Sequence, residues 1–100
     1  MIVENKTILT EKVIQVAIAQ FTGWKYLPDT KELQREWKFQ KFVPTMVLLR
    51  KITEVMDSNN HHCDIHLDSR KKSLVITVTT HSENAISQAD IDFAKAVNAI

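Results

Sequence analysis

Apolar positions recur at helical spacing in three stretches of the chain and at alternate positions in four others. From Leu9 to Phe21 the spacing of Leu9, Val13, Val16, Ala17 and Phe21 predicts a helix. Thr10 is placed to cap it, Glu11 lies where the helix dipole favours an anion, and Gly23 suits a left-handed residue just past its end. The β-branched residues Val13, Ile14, Val16 and Ile18 leave a strand open as the alternative. Trp24 to Leu27 reads as a short strand, Pro28-Asp29 as a turn, and Leu33 to Phe39 as a second strand antiparallel to the first. In that strand Leu33, Arg35, Trp37 and Phe39 share one parity, and Arg35 is out of character there.

Phe42 to Ser58 carries the clearest helical pattern. Pro44 fits its first turn, and Phe42, Met46, Leu49, Ile52 and Met56, widened by Leu48 and Val55, form a core-facing stripe. Cys63, Ile65 and Leu67 then alternate with Asp64, His66 and Asp68, Ser69 to Ser73 is a polar turn, and Leu74 to Thr80 is a run of strand formers, so the two make a hairpin. Ser87 to Ala99 closes the chain as a helix capped by Ser87, with Asp90 at the third helical position in a weak capping box and Phe93, Ala94, Val97 and Ile100 as its apolar stripe. The order α-β-β-α-β-β-α predicts an α+β two-layer sandwich: a four-stranded antiparallel sheet with three helices on one face. The opposite face holds Val75, Thr77 and Thr79 and is only half polar, which points to a sheet face or edge used for self-association.

Composition narrows the class. One hundred residues make a single domain, and 44% apolar content is that of a globular protein. A chain this short buries roughly two-thirds of its unfolded surface, so self-association would add to a small stability margin. Thirteen basic and twelve acidic residues give a net charge of +1, which argues against direct nucleic-acid binding. A single cysteine, Cys63, excludes an internal disulfide, and a single glycine, Gly23, excludes glycine-rich phosphate loops. Met1 to Lys6 shows no basic head leading into a long apolar run, and no membrane-length apolar stretch follows, so the chain reads as soluble and cytoplasmic, with no membrane partner.

Chemistry concentrates in the four histidines, His61, His62, His66 and His81. His61 and His62 sit at the corner between the central helix and the third strand. His81 ends the fourth strand, and antiparallel pairing brings that end beside the start of the third. The sequence therefore predicts a pocket shared by His61, His62 and His81. Four readings are open. With Cys63 and His66 these residues supply nitrogen and sulfur donors for zinc, although the spacing matches no zinc pattern. Cys63 beside His62 could serve as a nucleophile, but neighbours on a strand point to opposite faces. Imidazoles titrate near neutrality, so one ring can donate a proton while another accepts one, with no metal. The fourth reading is a plain polar surface corner, Asn59-Asn60-His61-His62.

Asn60-His61-His62, the strand pair ending Val78-Thr79-Thr80-His81, and Ile86-Ser87-Gln88-Ala89-Asp90 together resemble the pterin-4a-carbinolamine dehydratases, some of which also serve as the dimerisation cofactor of a homeodomain transcription factor. Gly23-Trp24 and Trp37-Lys38-Phe39-Gln40-Lys41-Phe42 add to the likeness, which runs from about Leu9 to Val97. The resemblance implies the same α+β sandwich and the dehydration of 4a-hydroxytetrahydropterin to quinonoid dihydropterin, which recycles the cofactor of aromatic amino acid hydroxylases. It implies catalysis by His61, His62 and His81, with His62 and His81 transferring protons and His61 positioning and meeting the leaving hydroxyl. Asn60, Thr79, Thr80 and Ser82 match positions that line the pterin site, and Asp57 matches an acidic family position. Pterin is then the substrate, and no cofactor or metal is expected. Family relatives form homodimers or homotetramers, and some act as protein-binding modules without catalysis. The sequence departs from the family at Cys63, where proline is usual, at Ile65, where an aromatic is common, in a longer hairpin between Leu67 and Leu74, and at Ala85, where glycine is usual and Asn84 is expected to take the left-handed conformation instead.

Overall fold

In the computed structural model, which describes residues 4–100, the elements follow the expected order: α1 (Glu11–Ile18), β1 (Trp24–Leu27), β2 (Glu32–Lys38), α2 (Phe42–Asn59), β3 (Asp64–Asp68), β4 (Ser73–Val78) and α3 (Gln88–Asn98), with a 3-10 turn at His81–Glu83 between β4 and α3. The first three residues, Met1 to Val3, on which part of the signal-peptide reading rested, lie outside the described residues. All three strand pairings are antiparallel, and the spatial order β1-β2-β4-β3 makes β4 a central strand. Both hairpins close through four-residue loops whose last residue, Lys31 or Lys72, takes a positive φ. Asp68 shapes the second loop by accepting the amides of Arg70 and Lys71 through Oδ1, each at 3.0 Å.

The register sorts the side chains into two faces. Toward the helices lie the rows Tyr26–Leu33–Val78, Trp24–Arg35–Ile76–Ile65 and Trp37–Leu74–Leu67. The other face carries Lys25–Gln34–Thr77–Asp64, Glu36–Val75–His66 and Lys38–Ser73–Asp68. These outer rows are mostly charged or polar at the flanking strands, while Ser73 and Thr77 of β4 are buried and Val75 between them is half-buried.

Arg35 belongs on the inner face for a physical reason. Its guanidinium stacks 4.6 Å over the Trp37 ring and donates to Asn98 Oδ1, which also accepts the Trp24 indole N–H at 2.9 Å. Gly23 makes room for it. Its φ is +89°, and a Cβ there would lie 2.9 Å from Arg35 Nε. Burial depresses the Arg35 pKa from its ordinary value.

The helices differ from the sequence pattern in which face they bury. Thr10 caps α1 by accepting the Val13 amide, as expected, but α1 ends at Ile18 and buries Ile14 and Ile18, while Val13 and Val16 face solvent. In α2 the burial runs through Thr45, Ile52 and Met56, and Phe42, Val43, Met46 and Val47 in its first turns are exposed. α3 is buried over most of its circumference, through Ala89, Asp90, Ile91, Phe93, Ala94 and Val97, because both other helices and the N-terminal segment pack on it. That segment runs antiparallel to residues 86–89. Asn5 O accepts the Ala89 amide at 2.8 Å, Thr7 O accepts the Gln88 amide at 2.9 Å, and Leu9 N donates to Ile86 O at 3.0 Å.

Candidate functional site

The site is built where α2 hands over to β3. Asn60 caps α2 in the left-handed conformation (φ 51°, ψ 41°), and the His61 amide donates back to Met56 O at 3.2 Å. This turn aims His61 inward, where it is 5% exposed, and leaves its neighbour His62 exposed. The His61 ring meets Phe93 edge-on, with centroids 5.9 Å apart.

Both ring nitrogens of His61 face carboxylates. Nδ1 lies 2.5 Å from Glu4 Oε1, and Nε2 lies 2.7 Å from Asp90 Oδ1. Burial by itself would lower the His61 pKa, but the hydrogen bonds and charges of Asp90 and Glu4 outweigh it, and the net direction is upward. Two carboxylate acceptors on one imidazole call for two N–H donors, so the geometry describes an imidazolium.

Asp90 is fully buried and its second oxygen is equally committed. Oδ2 accepts the Thr80 hydroxyl and the Ser87 amide, both at 2.8 Å, and Thr80 Oγ1 lies 2.6 Å from Ser87 Oγ. The capping box expected of Ser87 and Asp90 is present. Its carboxylate also joins the α2–β3 corner, through His61, to the end of β4, through Thr80. Beyond Thr80 the chain enters the 3-10 turn, with Asn84 in the expected left-handed conformation (φ 48°) and the Thr80 amide donating to Ala85 O at 3.1 Å. His81 and Ser82 sit on this turn, both exposed, and Ser82 Oγ accepts from Lys6 Nζ at 3.1 Å.

The structure thus joins His61 and Thr80 through Asp90, and holds His62 and His81 as the next residues outward from that joint. His61 is separated from them by burial. The hydroxyl of Thr80 is committed within the protein, and that of Thr79 donates to Ala85 O at 3.3 Å. Asn60 is exposed at the helix end, and Asp57 is exposed one turn earlier. Burial pushes the Cys63 thiol up to about 12, which keeps it protonated and a poor nucleophile. Sequence reasoning gives Asp90 as a helix cap and as part of the family likeness, without a role in the site, and passes over Glu4. The signals for Asp90 are an acid at the third position of the helix and its place in the Ile86–Asp90 stretch that resembles the family; Glu4 has none.

Comparison with known proteins agrees with this architecture. Residues 7–100 match the family model described as pterin 4 alpha carbinolamine dehydratase. A protein of Mycobacterium avium (strain 104), provisionally named as a pterin-4-alpha-carbinolamine dehydratase, is 33% identical over 93% of this chain and 95% of its own. One of Sulfolobus acidocaldarius with the same provisional name is 29% identical over 92% and 97%. Among solved structures, a transcriptional coactivator/pterin dehydratase from Brucella melitensis superposes with a TM-score of 0.83 at 25% identity, covering 93% of this chain and 97% of that one. A pterin dehydratase-like protein identified as a RuBisCO assembly factor in the alpha-carboxysome shares the fold, with a TM-score of 0.64 at 18% identity over 79% and 89% of the two chains. The antiparallel α+β sandwich, shared over 93% of this chain with the Brucella melitensis protein, defines the class. The chain belongs to the pterin-4a-carbinolamine dehydratase family.

Proposed function

We propose that this protein removes water from a 4a-hydroxytetrahydropterin to give the quinonoid dihydropterin, by histidine acid–base catalysis. The observation that carries the reading is the corner itself. In a chain of this family, His62 and His81 stand exposed beside a buried His61–Asp90–Thr80 joint that ties their two stretches of backbone together.

The reaction needs little more. Hydroxide is a poor leaving group until protonated, the lone pair of the adjacent ring nitrogen expels it as water, and a proton leaves the ring. No electrons are gained or lost overall, so one proton donor and one proton acceptor suffice. His62 and His81 fill these two roles. His61 has both nitrogens engaged, so its role is positioning: it holds the corner, and through the adjacent peptide it fixes His62. Asn60 and Ser82 supply polar groups at the rim, and Thr79 and Thr80 shape the wall. The protein works in this reading as a cytoplasmic homodimer or homotetramer, recycling the pterin used by aromatic amino acid hydroxylases. Replacing His62 or His81 by alanine should lower kcat by about a hundredfold or more with the fold retained; wild-type turnover in both variants would end the proposal.

A second reading is a protein-binding module on the same fold. It is favoured by the exposed apolar residues in the first turns of α2, Phe42, Val43, Met46 and Val47. Isothermal titration with a reduced pterin analogue separates the two: saturable heat supports the dehydratase, and no heat supports the module.

A further inference from the structure

We infer that Glu4 is a positioning residue of this site: from the N-terminal segment it grips the His61 ring at Nδ1 while Asp90 grips it at Nε2. The inference rests on the dehydratase reading for its effect on turnover, and on geometry alone for the grip. Glu4 Oε1 is 2.5 Å from Nδ1, and Asp90 Oδ1 is 2.7 Å from Nε2. An imidazole held at both nitrogens by acceptors on different segments cannot flip or turn about its Cβ–Cγ bond without breaking a charge-assisted bond in a site with little access to water.

The segment that delivers Glu4 is itself anchored. Its next residue, Asn5, accepts the Ala89 amide, and Thr7 accepts the Gln88 amide. These amides belong to the first turn of α3, the turn that carries Asp90. Both carboxylates are therefore referenced to one helix terminus, whose dipole favours negative charge there. Lys6 extends the grip to the other half of the site. Its Nζ lies 3.8 Å from Glu4 Oε2 and 3.1 Å from Ser82 Oγ, next to His81. One short segment thus touches the corner holding His61 and His62 and the turn holding His81. The groups facing His61 are Glu4 with Lys6 behind it, Asp90 with the Thr80 hydroxyl behind it, and the uncharged Phe93 edge; His62 adjoins it in the chain.

The test compares the full chain with Glu4→Gln and Glu4→Ala, following the His61 ring by nitrogen-15 NMR and dehydration of a 4a-hydroxytetrahydropterin by steady-state kinetics across pH. Both variants should move the His61 titration to lower pH and lower kcat by about tenfold to a hundredfold, with KM changed by less than about twofold. A His61 titration that does not move would overturn the grip, and an unchanged kcat with a moved titration would overturn the positioning role. If the wild-type protein shows no dehydration, the functional reading fails, and the NMR titration still decides whether Glu4 holds His61. Should either variant not fold, the wild-type spectrum decides: both ring nitrogens protonated near neutral pH supports the grip, and a neutral single tautomer overturns it.

Discussion

His61 Nε2 and Asp90 Oδ1 lie 2.7 Å apart, although 29 positions separate them in the chain. This contact joins the end of α2 to the start of α3. It is buried on both sides, with the histidine 5% and the aspartate 0% exposed. The Asp90 carboxylate also takes the Thr80 hydroxyl and the Ser87 amide, so one side chain organises three segments around the site.

Removing that carboxylate should therefore cost far more than a surface change. Asp90→Ala leaves a buried imidazolium, a threonine hydroxyl and a helix-terminal amide without their acceptor. The expected loss is about 3–5 kcal/mol of unfolding free energy, the range for breaking one side of a buried ion pair. Urea denaturation of the two proteins measures it, and a difference under about 1 kcal/mol would show that the carboxylate is not holding the corner.

The same ion pair sets a pH dependence. The folded His61 pKa lies above its ordinary value of 6.5, so its contribution to stability is fully present below that value. It is lost as pH rises through the folded pKa, where the unfolded chain has already released the proton. The urea midpoint of the wild-type protein, measured relative to His61→Gln from about pH 6 to pH 9, should fall with pH. A relative midpoint that rises over this interval would contradict the assignment.

Gly23 offers a test away from the site. An alanine there would meet both a φ of +89° and a Cβ position 2.9 Å from Arg35 Nε. The backbone alone costs about 1–2 kcal/mol. Displacing Arg35 would also lift it from the Trp37 face and away from Asn98. Gly23→Ala should lower the thermal midpoint and alter tryptophan fluorescence together; an unchanged spectrum would mean that the guanidinium does not depend on the missing Cβ.

What the sequence made legible was local. The Thr10 cap, the antiparallel pairing of β1 and β2, the Ser87–Asp90 capping box and the left-handed Asn84 all follow from residues a few positions apart. The buried face of α1 does not. Val13 and Val16 fit a helical stripe as well as Ile14 and Ile18 do, and only the packing partners choose between them. Arg35 on an inner row looked anomalous because Asn98, the residue that accepts its hydrogen bond, lies 63 positions away at the end of α3. The histidines were visible as candidates, but the division between a buried His61 and an exposed His62 depends on the left-handed Asn60, and the exposure of His81 on the 3-10 turn that follows Thr80. Glu4 was invisible because nothing near it in the chain signals a contact 57 residues away.

The central claim is that the exposed histidines beside this buried joint dehydrate a pterin. The most direct measurement is stopped-flow absorbance of a freshly generated 4a-hydroxytetrahydropterin, with and without the purified protein. The account predicts formation of the quinonoid dihydropterin about 10² to 10⁴ times faster than the uncatalysed loss of water at equal pH. A rate indistinguishable from the uncatalysed one, under conditions where the protein is folded, would contradict it.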